Sequence, residues 1–141
     1  MEKALRFLFV RDDYYHQRGY WVIAAAMRDA GIEVILGGIQ TPLETVETAI
    51  QEDADIIGCR IMQGAPSIVI PVLFDKMKGR GIGDIPVILG GIIPEKDERL
   101  LRELGVKGIF HPHTPLKTIT ERVKAIGNDH KNRRRNPEAE K

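Results

Sequence analysis

The sequence predicts a doubly wound α/β protein built around a five-stranded parallel sheet. Five short apolar runs alternate with five longer stretches in which apolar residues recur at helical spacing. The first run, residues 5–10, is apolar on both faces apart from Arg6, which is typical of a parallel strand covered by helices on both sides. Strands that alternate with helices form parallel sheets through right-handed crossovers. We therefore expect a single layered domain.

The five predicted strands are the apolar runs, and several of them end at turn-forming residues. The second strand stops at Gly37-Gly38, and the fourth leads into Gly90-Gly91. Glycine at such a junction permits a tight turn or the close approach of another group to the backbone. In chain order, the predicted strands are residues 5–10, 32–36, 54–59, 86–89 and 106–110.

The five predicted helices are bounded by capping signals. Thr41-Pro42 and Thr114-Pro115 each place a cap residue and a proline at the start of a helix, and Glu44 completes a capping box with Thr41. Glycines supply the stops of three helices, at Gly31, Gly105 and Gly127. In chain order, the predicted helices are residues 20–30, 42–52, 67–78, 94–104 and 116–126.

Helical spacing also predicts which faces of the helices enter the core. The core face of the first helix is predicted to consist of Val22, Ile23, Ala26, Met27 and Ala30. That of the last helix is predicted to consist of Leu116, Ile119, Val123 and Ile126.

The order of the strands follows from the small number of arrangements that right-handed crossovers allow. We predict the flavodoxin-like order 2-1-3-4-5, which brings the ends of the first and third strands together at the point where α/β sheets bind ligands. The loop at residues 11–19, the segment 60–65 and Gly90-Gly91 should then face one another.

Length and composition limit the architecture further. The 141 residues fit one domain, which we place at residues 1–128. Residues 129–141 are polar and charged, contain Arg133-Arg134-Arg135, and are expected to form a disordered tail. Cys59 is the only cysteine, which excludes an internal disulfide and fits a reducing compartment. We expect a cytoplasmic protein, or an organelle-matrix protein after removal of a targeting segment.

Charge and hydropathy argue against two classes of partner. A formal net charge of +1 creates no overall field that would attract nucleic acid or an anionic membrane. No apolar run approaches the roughly 20 residues of a membrane span. We therefore expect neither nucleic acid nor a membrane as partner.

The loop at residues 11–19 concentrates functional side chains between the first strand and the first helix. It contains Asp12, Asp13, Tyr14, Tyr15 and His16 in succession. A neutral imidazole is a good ligand for a transition metal, and such a ligand usually has its other ring nitrogen held by a carboxylate or a carbonyl group. Asp12 and Asp13 are the nearby candidates for that role. From residue type alone, an ordinary surface histidine remains an equally good interpretation.

The other candidate sites are weaker. Gly90-Gly91 fits either close approach by a ligand or an ordinary turn. His111-Pro112-His113 would be at most half of a metal site, Cys59 is better explained as a buried structural thiol, and the arginine triplet as solvated chain. The sequence contains no dinucleotide-binding or phosphate-binding glycine motif.

Three segments of the sequence nevertheless share a family pattern. His16-Gln17-Arg18-Gly19 matches the H-x-x-G part of a D-x-H-x-x-G motif, Gly90-Gly91 matches a later glycine pair, and Arg60-Ile61-Met62 falls on the S-x-L position between them. From residues 5 to 126, the chain resembles the cobalamin-binding domain, or separate small subunit, of acyl-CoA mutases of the methylmalonyl-CoA mutase type.

The resemblance implies adenosylcobalamin as cofactor and a radical rearrangement of the carbon skeleton of an acyl-CoA. His16 would be the lower axial ligand of cobalt, replacing the cofactor's own benzimidazole, and the displaced nucleotide tail would enter a slot between the sheet and the helices. A large catalytic subunit with an acyl-CoA-binding barrel would be the partner. The implied cofactor-binding residues are Asp13, Tyr14, His16, Gln17, Arg18, Gly19, Arg60, Met62, Gly64, Gly90, Gly91, Phe110 and Thr114.

The chain departs from the family pattern at two important positions. Tyr14 replaces the motif aspartate two residues before the histidine, and Asp13 lies one residue too early. Either a local bulge brings Asp13 to the imidazole, or the Tyr14 hydroxyl takes its place. Arg60 replaces the motif serine, and it would either pair with the phosphate of the nucleotide tail or block the slot. Met62 for leucine is a mild change.

These departures keep two other functions open. The first is a degenerate module that has lost cobalamin and acts by contact with a mutase-like large subunit. The second is a cobalamin carrier for methyl transfer. That family normally has a helical domain ahead of the sheet, whereas here the first strand begins near residue 5, which disfavours it.

Overall fold

The computed structural model describes residues 3–135, which form five strands and five helices in alternation. The strands are β1 (Arg6–Arg11), β2 (Glu33–Ile39), β3 (Ile56–Ile61), β4 (Val87–Gly91) and β5 (Gly108–Phe110). The helices are α1 (Gln17–Asp29), α2 (Pro42–Gln51), α3 (Pro66–Gly79), α4 (Glu95–Leu104) and α5 (Leu116–Arg135). All strand pairs are parallel, in the order β2-β1-β3-β4-β5, so the predicted fold class and strand order are confirmed.

The helices cover both faces of the sheet, because successive strand residues point to opposite sides. On one face, α1 and α5 pack on a core that includes Phe7, Phe9, Tyr20, Met27, Ile88, Ile119 and Val123. On the other face, α2, α3 and α4 pack on a core that includes Leu8, Val46, Ile57, Ile70, Leu73, Leu89 and Leu101. Burying one such side chain contributes about 1.5–3 kcal/mol. No helix among residues 3–135 combines the length and the apolar character needed to cross a membrane.

Two of the predicted helix boundaries are formed as the capping signals indicate. At the start of α2, Thr41 Oγ1 accepts a hydrogen bond from the Glu44 amide at 3.2 Å, and the Glu44 carboxylate accepts one from the Thr41 amide at 2.9 Å. At the end of α4, Gly105 has φ +118°, a left-handed conformation that favours glycine. Both signals act locally, which explains why they can be read from sequence.

Strand β2 continues through Gly37-Gly38 to Ile39, although the sequence predicted that it would stop at the glycine pair. The continuation depends on an irregular register with β1 between Phe9 and Val10. Gly37 packs so closely on β1 that a Cβ atom there would lie 2.7 Å from a methyl group of Val10. The glycines therefore permit close strand contact instead of ending the strand.

The core face of α1 differs from the predicted one. Tyr20, Ala24 and Met27 are buried, whereas Val22 is 41% exposed and Ile23, Ala26 and Ala30 are only partly buried. Tyr20 fixes this orientation, because its hydroxyl donates to the Phe9 carbonyl oxygen at 2.7 Å and accepts from the Gly38 amide at 3.1 Å. Desolvation by burial is the main reason that the pKa of Tyr20 is raised.

Helix α5 also differs from its prediction, since it passes through Gly127 and reaches Arg135. A Cβ atom at Gly127 would lie 2.9 Å from a methyl group of Leu5, so this glycine allows α5 to approach the start of β1. Residues 129–135 are helical, and the expectation of disorder is wrong for them. The rest of the predicted tail, residues 136–141, lies outside the described residues. Within α5, Ile119 and Val123 are buried as predicted, Ile126 is partly buried, and Leu116 is 41% exposed.

Candidate functional site

The carboxyl ends of three strands lie side by side, as the predicted strand order requires. Arg60 of β3 pairs with Arg11 of β1 on one side and with Gly90 of β4 on the other. The segment that follows β3 therefore borders both the loop after Arg11 and the glycine pair that ends β4. The three segments singled out in the sequence thus form one surface at the ligand-binding edge of the sheet.

His16 lies immediately before the first residue of α1 and is held by Asp13. Its Nδ1 lies 2.5 Å from Oδ2 of Asp13. An ionised carboxylate can only accept hydrogen bonds, so pairing with ionised Asp13 places the imidazole proton on Nδ1. In the neutral ring, this leaves the lone pair on Nε2, which has no hydrogen-bond partner among residues 3–135. The His16 side chain is 52% exposed, whereas Asp13 is only 4% exposed. The imidazole is thus oriented by Asp13 at Nδ1, while the rest of the ring is partly exposed to solvent.

The structure also decides between the three candidate partners of His16. Tyr14 is 68% exposed, and its hydroxyl makes no bond to the imidazole in the described part of the chain. Asp12 turns towards the loop after β3. There its carboxylate accepts hydrogen bonds from the backbone amides of Met62 at 2.8 Å, Gln63 at 3.2 Å and Gly64 at 2.6 Å. Asp13 therefore supplies the carboxylate, and Asp12 holds the neighbouring loop in place.

Arg60 reaches from the end of β3 across to α1. Its Nη1 donates a hydrogen bond to the His16 carbonyl oxygen at 2.8 Å, and its Nη2 lies where a Cβ atom of Gly19 would overlap with it. Burial lowers the pKa of Arg60, while the nearby Asp13 and Asp12 carboxylates act in the opposite direction. The arginine that departs from the family pattern is therefore bonded to the histidine loop.

A groove of about 310 Å³ opens between the sheet and the two helices α1 and α5. Its floor includes Gly58 and Gly90, and its sides include Val22 and Leu116. The exposed apolar residues of α1 and α5, which helical spacing assigned to the core, thus line this groove. Their periodicity indicated an apolar face but could not distinguish a core from a groove.

The two glycines that end β4 have different roles. Gly91 has φ +103°, and a Cβ atom there would overlap with the Ile61 carbonyl oxygen, so the backbone itself requires glycine. Gly90 has no such requirement, because a Cβ atom would meet nothing closer than the Phe110 carbonyl oxygen at 3.7 Å. The fold could accommodate alanine at position 90. The missing methyl group leaves space in the groove, as a ligand-binding position would require.

The remaining candidates are not part of a preformed metal cluster. His111 pairs with Glu98, and His113 has φ +72° in the loop between β5 and α5. Among residues 3–135, no group of three or more His, Cys, Asp or Glu side chains is arranged to hold a metal ion. Burial raises the pKa of Cys59 to about 12, which keeps the thiol protonated and supports a structural role.

The predicted cofactor residues divide into two groups. Those that line the groove are Gly19, Arg60, Met62, Gly90, Gly91, Phe110 and Thr114. Those that lie in the two adjoining loops or the first turn of α1 are Asp13, Tyr14, His16, Gln17, Arg18 and Gly64. Gln17 and Arg18 are exposed and do not line the groove. The sequence analysis did not predict that Gly58, Val22 and Leu116 line the groove. It also did not predict the three hydrogen bonds from backbone amides to Asp12.

The fold and the site define a class of protein that binds its ligand at the carboxyl edge of a flavodoxin-like sheet. The chain belongs to the B12 binding domain family, whose model matches residues 7–116. It is 41% identical over 112 residues to the 2-hydroxyisobutanoyl-CoA mutase small subunit of Aquincola tertiaricarbonis, covering 79% of this chain and 82% of that protein. It is 35% identical over 113 residues to the pivalyl-CoA mutase small subunit of Xanthobacter autotrophicus, covering 79% and 76%.

Longer relatives and solved structures place the chain in a wider context. A methylmalonyl-CoA mutase of Cereibacter sphaeroides is 37% identical over 109 residues, but this chain spans only 15% of its length. A cobalamin-binding protein from Desulfitobacterium hafniense has a TM-score of 0.71 at 17% identity, covering 88% of this chain and 59% of that one. The receiver domain of the response regulator NarL from Mycobacterium tuberculosis has a TM-score of 0.68 at 15% identity, covering 90% and 98%. Likeness at such low identity shows the fold alone.

The residues present fit a cobalamin. The site offers an accessible imidazole nitrogen, and a buried carboxylate holds the opposite nitrogen of the same ring, as is usual for a metal-ligating histidine. Beside it lies an apolar groove with a glycine that the fold does not need. Neither departure from the motif removes these features.

Proposed function

We propose that this chain is the cobalamin-binding small subunit of an adenosylcobalamin-dependent acyl-CoA mutase, an isomerase that rearranges a carbon skeleton. The observation that carries the proposal is the pair of His16 and buried Asp13, which leaves Nε2 free beside the groove. The similarity to two mutase small subunits over more than three quarters of this chain supports the same conclusion.

In this proposal, each part of the site has a separate task. His16 would hold the cobalt through Nε2, while Asp13 would fix the tautomer and the orientation of the ring. The groove beside Gly90 would hold the nucleotide tail. Adenosylcobalamin would supply the radical that starts the rearrangement, through homolysis of its cobalt–carbon bond. The chain itself binds and orients.

Binding of the acyl-CoA belongs to another chain. The two small-subunit relatives are similar to this chain over most of their own length, whereas the methylmalonyl-CoA mutase of Cereibacter sphaeroides is more than six times as long as the matched part. We therefore propose a large subunit, with an acyl-CoA-binding barrel, as partner. A cytoplasmic location belongs to the same proposal, since the only cysteine is a buried free thiol.

A degenerate module that acts only by contact with the large subunit is the second candidate. Arg60 in the groove is the observation that favours it. The absent motif aspartate, which also favoured it, carries less weight because Asp13 takes over the pairing with His16. A colourless protein that binds no cobalamin, even with its large subunit, would establish this candidate.

Visible absorption titration of the chain with hydroxocobalamin and adenosylcobalamin, with and without the large subunit, tests the proposal. We expect saturable binding and a spectrum in which a histidine replaces the benzimidazole. His16→Ala should abolish that spectrum and the turnover of the reconstituted complex. In His16→Gly, added imidazole should take the place of the missing side chain and restore the spectrum of the unmodified protein. Arg80→Ala, which removes an exposed ion pair with Glu47, is the control. Unchanged affinity and turnover in His16→Ala would exclude His16 as the axial ligand.

A further inference from the structure

Arg60 connects the sheet to the loop that carries His16. Its backbone lies in register between Arg11 of β1 and Gly90 of β4, so it is anchored on both sides by strand pairing. Its side chain leaves the end of β3 and donates to the His16 carbonyl oxygen at 2.8 Å. An anchored strand residue thereby holds the backbone carbonyl group of the histidine.

Apart from Asp12, whose carboxylate accepts hydrogen bonds from the Met62, Gln63 and Gly64 amides, the histidine loop has few attachments to the neighbouring strands. Tyr14 and Tyr15 are 68% and 86% exposed, and the hydrogen bond of Asp13 to His16 lies within the loop itself. Among residues 3–135, no other side chain of β3 or β4 is bonded to the segment from Asp13 to His16. If the loop were attached through Asp12 alone, the part that carries His16 would lose more conformational freedom when the ligand binds, which weakens affinity.

We propose that Arg60 is a positioning residue, which holds the loop on the end of β3 so that the His16–Asp13 pair is in place before cobalamin binds. The ligand named here rests on the proposed function, whereas the attachment of the loop is a property of the free chain. The guanidinium suits this task because it is long, planar and always charged, and serine in the same position is too short to reach the carbonyl group. The departure from the family motif is therefore a functional substitution.

The position of Gly19 provides a second test of the contact between Arg60 and His16. A Cβ atom at position 19 would overlap with Nη2 of Arg60, so the guanidinium occupies the space that glycine leaves. Gly19→Ala should displace the guanidinium and break its bond to His16. When serine replaces Arg60, the alanine at position 19 has no guanidinium to displace. The effects of the two substitutions on the order of the loop should therefore be strongly non-additive.

Hydrogen–deuterium exchange on the free, full-length chain tests the attachment directly. We expect the amides of residues 14–19 to exchange about tenfold faster in Arg60→Ser, with an intermediate rate in Arg60→Lys, which keeps the charge and a single donor nitrogen. Arg80→Ser, which removes an arginine from the ion pair with Glu47, is the matched control. Exchange in Arg60→Ser as slow as in the unmodified chain would overturn the proposal.

Titration with two corrinoids separates positioning from the other roles that Arg60 could have. Cobinamide lacks the nucleotide tail of cobalamin but still offers cobalt to His16. Positioning predicts that Arg60→Ser weakens binding of hydroxocobalamin and cobinamide by the same factor, about tenfold. A loss confined to cobalamin would show that Arg60 binds the tail, and tighter cobalamin binding would show that it obstructs the groove. Either result overturns the proposal. Failure of the unmodified chain to bind any corrinoid would instead refute the proposed function, while the exchange experiment would still test the attachment.

Discussion

The pairing of Asp13 with His16 explains how the site accommodates Tyr14 where the related motif has aspartate. Asp13 and His16 are three residues apart in a turn that leads directly into α1, and this turn brings the buried carboxylate to within 2.5 Å of Nδ1. Tyr14, between them, points towards solvent. The carboxylate partner of the histidine is thus kept, although it comes from a different position in the sequence.

Asp13→Asn tests the importance of this carboxylate with little change in shape. The amide can present its NH₂ group to the ring, which would favour the wrong tautomer, so we expect cobalamin affinity to fall about 10–100-fold. Absorption titration measures the loss, and Asp75→Asn on the exposed side of α3 serves as control. Unchanged affinity in Asp13→Asn would mean that the orientation of His16 does not depend on the carboxylate.

Strand β4 shows how one element divides structural and functional requirements between adjacent residues. Position 91 requires glycine for structural reasons, because its backbone has a positive φ and lies against the Ile61 carbonyl group. Position 90 has no such structural requirement, and it borders the groove. Alanine at position 91 should therefore lower the stability of the fold, whereas alanine at position 90 should lower the affinity for the ligand.

Gly91→Ala should lower the free energy of unfolding by about 1–3 kcal/mol, because a non-glycine residue is strained at this φ. Gly90→Ala should change it by no more than about 0.5 kcal/mol, because the added methyl group has room. The same methyl group would occupy ligand space, and cobalamin affinity should fall at least about tenfold. Urea unfolding and absorption titration measure the two quantities. Full cobalamin affinity in Gly90→Ala would place the nucleotide tail elsewhere.

Helix α5 connects the two ends of the sheet. It begins beside the groove at the carboxyl end, and its last turns lie at the amino end. There, Lys131 donates to the Lys3 carbonyl oxygen at 2.8 Å, Gly127 packs on Leu5, and His130 is buried. The last turns of α5 therefore belong to the folded domain.

His130 should make the stability of the whole domain dependent on pH. Burial lowers its pKa, against the opposing effect of Asp84 at 4.0 Å; Arg134 lowers it further, and Asp55 and Asp129 act with Asp84. Below the ordinary histidine pKa of about 6.5, the unfolded chain binds a proton more readily than the folded one. The contribution of His130 is thus fully present above about pH 6.5 and is lost as the pH falls towards its lower folded pKa.

Urea unfolding at pH 8 and at pH 5.5 tests this dependence. The free energy of unfolding should fall more in the unmodified chain than in His130→Gln, which cannot titrate. Comparing the pH effect within each protein removes the packing change caused by the substitution itself. An equal fall in both proteins would show that other groups cause the dependence.

Local patterns in the sequence predict the alternation of five strands and five helices, the capped start of α2 and the position of His16 at the carboxyl edge of the sheet. These features depend on hydrophobic periodicity and on capping residues, which act within one element. The three-dimensional fold was needed to show that Asp13 is the partner of His16, that Arg60 bonds to the histidine loop, and that α5 continues past Gly127. The contact of Arg60 with His16 joins residues 44 positions apart, and Gly127 packs against Leu5 at the other end of the chain. No local pattern encodes such contacts, because they exist only once the sheet has brought distant segments together.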